Sequence, residues 1–155
     1  MKECILVLDN IRSVENVGSI FRTAEGFGVS RIILVGITPA PLDRFGRKRK
    51  DFARVSLGSE KLVGWEQIKD LGFKIHDLRM GGFKIIALEQ HKNSVELNKI
   101  KNLNKFALIV GNEVNGVSEE VLTMADNIAE IPMMGAKESL NVSVATGVAL
   151  YHLMK

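Results

Sequence analysis

The chain has 155 residues, 46% of them hydrophobic and 25% charged, with a formal net charge of +3. These proportions are those of an ordinary globular protein and exclude extensive disorder, and the length fits one domain that buries roughly two-thirds of its unfolded surface. A single cysteine, Cys4, excludes an internal disulfide framework and a cysteine metal cluster, and the apolar run Cys4 to Leu8 is too short for a signal-peptide core or a membrane span, so a cytoplasmic protein is expected.

In chain order, Lys2 to Asn10 reads as a buried strand. Ser13 to Gly28 reads as a loop entering a helix, with Val17, Ile20, Phe21, Ala24 and Phe27 on one apolar face and Gly18, Arg22 and Glu25 on another. Asn16 stands where an N-cap belongs, and Gly26 and Gly28 end the helix before a second strand, Arg31 to Val35. Ile37 to Gly46 holds two of the three prolines and is expected to be a loop over the sheet. A short helix is predicted near Asp51 to Leu57, a short strand at Val63 to Trp65, and a helix over Ile68 to Arg79 that Gly81 and Gly82 stop. Strands follow at Lys84 to Leu88 and Phe106 to Val110. Ser118 to Met124 is a short helix capped by Ser118, and Ile128 to Ile131 completes the sheet.

Apolar strands without alternation, separated by helices, indicate a single α/β domain with a mostly parallel sheet and helices on both faces. The stretch least explained by packing lies at the end, where the polar run Lys137 to Asn141 separates a strand from the helix that begins at Val142. That helix is apolar nearly all round, broken only by Ser143, Thr146, His152 and Lys155. A chain this short cannot cover such a helix on every side, so a homodimer is expected. Between Arg44 and Arg54 the charge is +5, leaving −2 for the rest of the chain. A basic window of this density fits either a polyanion-binding surface or a solvated helix face.

Several chemistries find little support. Gly111 to Ser118 approaches a phosphate-binding loop but has Val117 where that motif needs lysine, and Gly26 and Gly28 follow a helix where a dinucleotide fingerprint follows a strand. His76, His91 and His152 are scattered, so no metal site is expected, and Ser139 lacks the surroundings of a nucleophile elbow. What remains is a set of polar residues at strand ends, Asn16 and Arg22, Asn112 and Glu113, Ser139 and Asn141. Singly they read as caps and surface ion pairs, but in an open α/β sheet the carboxyl ends of the strands share one edge, where they can converge.

Three segments carrying these residues, Asn16 to Ala24, Ile109 to Gly116, and Ile131 to Met134 continuing through Ser139 to Ala145, resemble the three ordered motifs of the SpoU (TrmH) branch of the SPOUT RNA methyltransferases. The resemblance spans nearly the whole chain. It implies S-adenosylmethionine-dependent methylation of a ribose 2′-hydroxyl in tRNA or rRNA by a homodimer with a C-terminal trefoil knot, with no metal and no membrane. Residue by residue it implies Arg22 at the centre of the chemistry, Asn16, Glu113, Ser139 and Asn141 completing the site, and a cofactor held by Leu88, Gly111, Asn112, Ile131, Met133 and Leu140. Family members often carry an added N-terminal RNA-binding domain. Here residues 1–155 are read as one methyltransferase domain, so RNA is expected to be held by the domain itself, at Arg44, Arg47, Lys48, Arg49, Lys50 and Arg54. The competing readings are a non-catalytic RNA-binding protein that retains the fold, and a nucleotide-binding enzyme using Gly111 to Gly116 as a phosphate loop.

Overall fold

The computed structural model describes all 155 residues. Its strands are β1 (Glu3–Asp9), β2 (Arg31–Val35), β3 (Gly64–Ile68), β4 (Lys84–Leu88), β5 (Val95–Glu96), β6 (Lys105–Gly111) and β7 (Asn127–Glu130). They form one seven-stranded sheet in the order β3-β2-β1-β6-β4-β7-β5. Every pairing is parallel, from Ile5 opposite Arg31 to Glu96 opposite Glu130.

The all-parallel arrangement follows from the composition of the inner strands. In β6, Phe106 to Gly111 are all buried, and Ile85, Ile86 and Ala87 of β4 are fully inaccessible, so these strands need cover on both faces. The helices α1 (Val14–Gly26), α2 (Lys50–Ser56), α3 (Leu71–Met80), α4 (Glu119–Met124) and α5 (Val142–Leu153) supply it. One core gathers Leu6, Leu8, Phe21, Phe52, Phe106 and Leu150 beneath α1, α2 and α5. The other gathers Val7, Ile75, Ile85, Ile109 and Val121 beneath α3 and α4. Each such apolar side chain contributes about 1.5–3 kcal/mol when fully buried, so the two layers together hold the sheet.

Most predicted elements occur within a residue or two of their expected limits, and the departures have local causes. Ser13, not Asn16, caps α1, its Oγ accepting from the Asn16 N–H at 3.1 Å, which leaves the Asn16 side chain free. Gly18, read from the sequence as lying away from the apolar face, is buried where α1 meets α2, with Val55 at the limit of close packing. The helix expected from Ile68 begins at Leu71 because Asp70 caps it by accepting from the Phe73 N–H, and Ile68 ends β3. The strand expected at Val63 to Trp65 runs instead from Gly64 to Ile68, because it lies at the sheet edge, where the polar Glu66 and Gln67 interrupt the apolar signature; β5, two residues long, had none. No helix is long and apolar enough to cross a membrane.

Because all strands are parallel, the segments after β1, β2, β4, β6 and β7 leave the sheet at one edge. That edge carries Asn112, Glu113, Ser139 and Asn141 and the start of α1 with Asn16, whereas Arg22 lies further along α1.

Candidate functional site

β6 ends at Gly111, and the chain turns back on itself through Asn112 to Gly116 in a tight loop closed by an Asn112–Gly116 bridge. The Asn112 Oδ1 accepts from the N–H groups of Val114 (2.9 Å) and Asn115 (3.0 Å), and its Nδ2 donates to the Asn10 carbonyl at 2.8 Å. Gly111 is required by the loop's own return, since a Cβ there would overlap the Gly116–Val117 peptide. The close backbone approach at Gly111 is therefore an intramolecular one. Gly116, at φ +67°, sits against the Glu89 carboxylate, which accepts from the N–H of Val117 (2.8 Å) and of Gln90 (3.0 Å). Glu89 thus fixes the loop from the neighbouring strand end.

Glu113 reaches across to the start of α1. Its two carboxylate oxygens accept from the N–H groups of Arg12 and Ser13, each at 2.9 Å, and from Asn16 Nδ2 at 3.1 Å. Partial desolvation pushes the carboxyl upward, but the N–H groups of Arg12 and Ser13 together with its remaining hydrogen bonds outweigh it, and the net shift is below the ordinary carboxylate value. Glu113 is accordingly ionised at neutral pH, at the positive end of a helix. Asn16 Oδ1 in turn accepts from Asn141 Nδ2 at 3.2 Å, and Asn141 caps α5 by accepting from the Ser143 N–H at 2.8 Å and its hydroxyl at 2.6 Å. Glu113, Asn16 and Asn141 form one hydrogen-bonded line in which Asn16 is bonded to partners 97 and 125 residues away. Ser139, read alone as a cap, is not one; Asn141 takes that place.

Beside this line lies a cavity of about 410 Å³, within the range of small-molecule and cofactor sites. Leu88, Gly111, Asn112, Ile131, Met133 and Leu140 all line it, as do Glu113, Ser139 and Asn141. Asn16 and Arg22 do not. Arg22 is exposed on α1 and makes no hydrogen bond or ion pair within the chain. Glu89 and Glu130, not expected from the sequence, also line the cavity. Their position immediately after β4 and at the end of β7 was a usable signal, because both fall at the edge where the other site residues gather. The lining thus contains three carboxylates and no Lys, Arg or His. Three or more His, Cys, Asp or Glu side chains nowhere cluster in a form that could hold a metal ion. Cys4 is buried in β1 and its thiol is pushed up to about 12 by desolvation, which leaves it a packing residue.

The basic window divides. Arg47 is tied to Asp43 (Nε to Oδ2, 3.1 Å), and Arg49 makes a two-pronged pair with Asp51 (3.2 and 2.9 Å). Arg44, Lys48, Lys50 and Arg54 make no ion pair within the chain. These four are therefore the cations of the window that no carboxylate of the chain offsets.

The family profile described as the SpoU rRNA Methylase family matches residues 3–151. This chain belongs to that family. Among similar family proteins, the tRNA (guanosine(18)-2′-O)-methyltransferase of Aquifex aeolicus is 34% identical over 154 residues, which are 99% of this chain and 70% of that protein. The crystal structure of the A. aeolicus TrmH/SpoU tRNA modifying enzyme superposes with a TM-score of 0.86 at 33% identity, covering 99% of this chain and 75% of the other. An AdoMet-bound rRNA methyltransferase from Sinorhizobium meliloti also gives a TM-score of 0.86, at 32% identity, covering 97% of this chain and 55% of that one. The chain thus spans between about half and three-quarters of the length of these SpoU-family relatives.

Proposed function

We propose that this chain transfers a methyl group from S-adenosylmethionine to a ribose 2′-hydroxyl of tRNA or rRNA. The observation that carries the reading is the hydrogen-bonded line Glu113–Asn16–Asn141 beside the 410 Å³ cavity, which joins all three family motifs at one place. The cavity's chemistry fits the cofactor. Leu88, Ile131, Met133 and Leu140 offer apolar walls to an adenine, the loop main chain offers hydrogen bonds, and the carboxylates Glu89, Glu113 and Glu130 suit a ligand that carries positive charge. When bound, S-adenosylmethionine supplies an activated methyl group. The names of the A. aeolicus and S. meliloti relatives support the same assignment. A protein of this activity works where its RNA is, in the cytoplasm.

The protein's own work is to hold the ribose and assist loss of its proton. Asn16 and Asn141 are fixed by their mutual hydrogen bond and by Glu113, so their amides are preorganised beside the cavity. The planar fork of the Arg22 guanidinium suits a two-pronged contact with a phosphate. Arg22 lies six residues after Asn16, about 9 Å further along the α1 axis, and so away from the cavity of its own chain. The face that α1 shares with α5 exposes Val144, Val148 and Tyr151, 52%, 41% and 59% accessible. A second copy docked there would cover these side chains and carry Arg22 toward the other chain's cavity. The chain is on this reading a homodimer, knotted at its C-terminus; the interleaved order β6-β4-β7-β5 and the placement of α5 against α1 support that threading.

Calorimetry with S-adenosylhomocysteine is expected to show one site per chain. At a hundred times the dissociation constant the ligand should stabilise the fold by about 2.7 kcal/mol. Absence of both heat and thermal stabilisation removes the cofactor assignment. Incubation with labelled S-adenosylmethionine and unmodified total tRNA or rRNA is expected to yield 2′-O-methylated nucleosides; RNA binding without any transfer would leave the non-catalytic reading instead.

Because Arg47 and Arg49 are already paired, the residues to neutralise in the basic window are Arg44, Lys48, Lys50 and Arg54. Changing all four to Gln should weaken RNA binding across sequences and leave cofactor affinity intact. The salt slope should fall by roughly 0.7 to 0.9 log units for each phosphate that the protein no longer neutralises. Unchanged affinity with an unchanged slope would make the window a solvated surface.

A further inference from the structure

The segment after β2 does more than carry charge. Residues 41–49 fold into a small hairpin, bridged at Leu42 and Lys48 and closed by the Asp43 N–H to Arg47 carbonyl (2.8 Å) and Arg49 N–H to Pro41 carbonyl (3.0 Å) bonds. Asp43 locks its apex: Oδ1 accepts from the N–H groups of Phe45 and Arg47, both at 2.9 Å, while Oδ2 takes Arg47 Nε. At the apex Phe45 is 66% exposed, and the guanidinium carbons of Arg44 and Arg47 lie 4.8 and 5.0 Å from its ring centroid. A large apolar ring presented on a rigid loop, with two guanidinium groups close to it, has no role in either core. The bland explanation is that the two arginines shield a stray aromatic, yet they leave two-thirds of it open.

The hairpin's position gives this ring a partner. The segment that carries it leaves β2 at the same edge of the sheet as the cavity, and β2 itself lies two strands, about 10 Å, from β6. The segment is also anchored toward the site: the Ile37 N–H donates to Asn10 Oδ1 at 3.0 Å, and the Asn10 carbonyl accepts from Asn112 of the cavity lining. A flat apolar face flanked by positive charge matches a nucleotide, whose base stacks on aromatic rings and whose phosphates seek cations. Bases within a duplex are already stacked and cannot offer a face. We infer that Phe45 is a stacking platform for an unpaired nucleobase of the substrate RNA, held beside the cavity while Arg44 and the free cations of the window take the adjoining phosphates. The inference rests on the RNA reading above and adds to it that the recognised region is single-stranded.

The test compares wild type, Phe45→Leu and Phe45→Tyr for binding to unmodified total tRNA, to single-stranded oligoadenylate and to the oligoadenylate–oligouridylate duplex. Phe45→Leu should bind tRNA and the single strand roughly tenfold more weakly, the scale of removing one base–aromatic stack, with duplex affinity and salt slope unchanged and Phe45→Tyr near wild type. In a second measurement the sole tryptophan, Trp65, is replaced by Phe and Phe45 by Trp; oligoadenylate should then quench the indole emission. The inference is overturned if Phe45→Leu binds the single strand as wild type does, if it loses single strand and duplex equally, if tyrosine does not rescue, or if the indole is not quenched. A change of oligomeric state in Phe45→Leu would likewise overturn it, assigning the ring to a contact between copies. If wild type binds none of the RNAs, the RNA reading itself fails and this one with it.

Discussion

Arg22→Lys is expected to leave fold and cofactor binding unchanged and to slow methyl transfer by at least roughly a hundredfold, the scale of a positioned acid–base or phosphate-orienting group. The side chain is exposed on α1 and holds no partner within the chain, so its replacement removes no packing and breaks no hydrogen bond. Lysine keeps the charge but loses the rigid planar fork that grips two phosphate oxygens, which is why the substitution separates geometry from electrostatics. The measurements are single-turnover methyl transfer beside calorimetric titration with S-adenosylhomocysteine. Near-normal turnover on a good RNA substrate would remove Arg22 from the chemistry. A mixing experiment addresses which chain's cavity it serves. Arg22→Lys and Asn141→Ala chains, each inactive alone, should together regain about a quarter of wild-type activity if Arg22 acts across a two-fold interface, because half the dimers then hold one complete site. No recovery on exchange of chains would place both residues in one protomer.

Val148→Glu should separate the protein into monomers or leave it insoluble, and abolish activity in either case. Val148 stands on the open side of α5 between Val144 and Tyr151, with Phe27 packed edge-on against Tyr151 at 6.2 Å from the α1 side. If a second copy covers this strip, a carboxylate there is buried without a partner, which costs several kcal/mol and weakens association by roughly a thousandfold or more. Sedimentation across a concentration series reads the outcome directly. A variant that sediments as wild type and methylates at the wild-type rate would show that the face is ordinary surface.

Legibility in the sequence followed burial. The central strands and α1 were readable because both faces of the sheet and one face of the helix are apolar, and periodicity records that. The edge strand β3 showed only its start, expected at Val63 to Trp65 and running from Gly64 to Ile68, because an edge strand is half solvated, and the two-residue β5 left no record. At the site, motif resemblance selected Asn16, Glu113 and Asn141, but caps taken singly misled: Asn16 was read as a cap when Ser13 holds that place, and the polar side chain thereby released is what reaches Glu113 and Asn141. Glu89 and Glu130 were missed because a carboxylate at a strand end looks like any surface acid until the sheet order sets it beside a cavity.

The class of the fold, the family and the residue types available for chemistry are all written in the order of residues, since these depend on local propensity, apolar pattern and motif. That order also sets the charge of the basic window but not its usable part, because whether Asp43 takes Arg47 and Asp51 takes Arg49 depends on how a loop folds onto itself. The folded chain alone sets Glu113 at the start of α1, brings Asn16 to Asn141 across 125 residues, and leaves Arg22 outside the cavity. The physical reason is that such contacts are fixed by strand order: β6 was placed between β1 and β4 by the burial of whole faces, a sum over many residues that no single position carries.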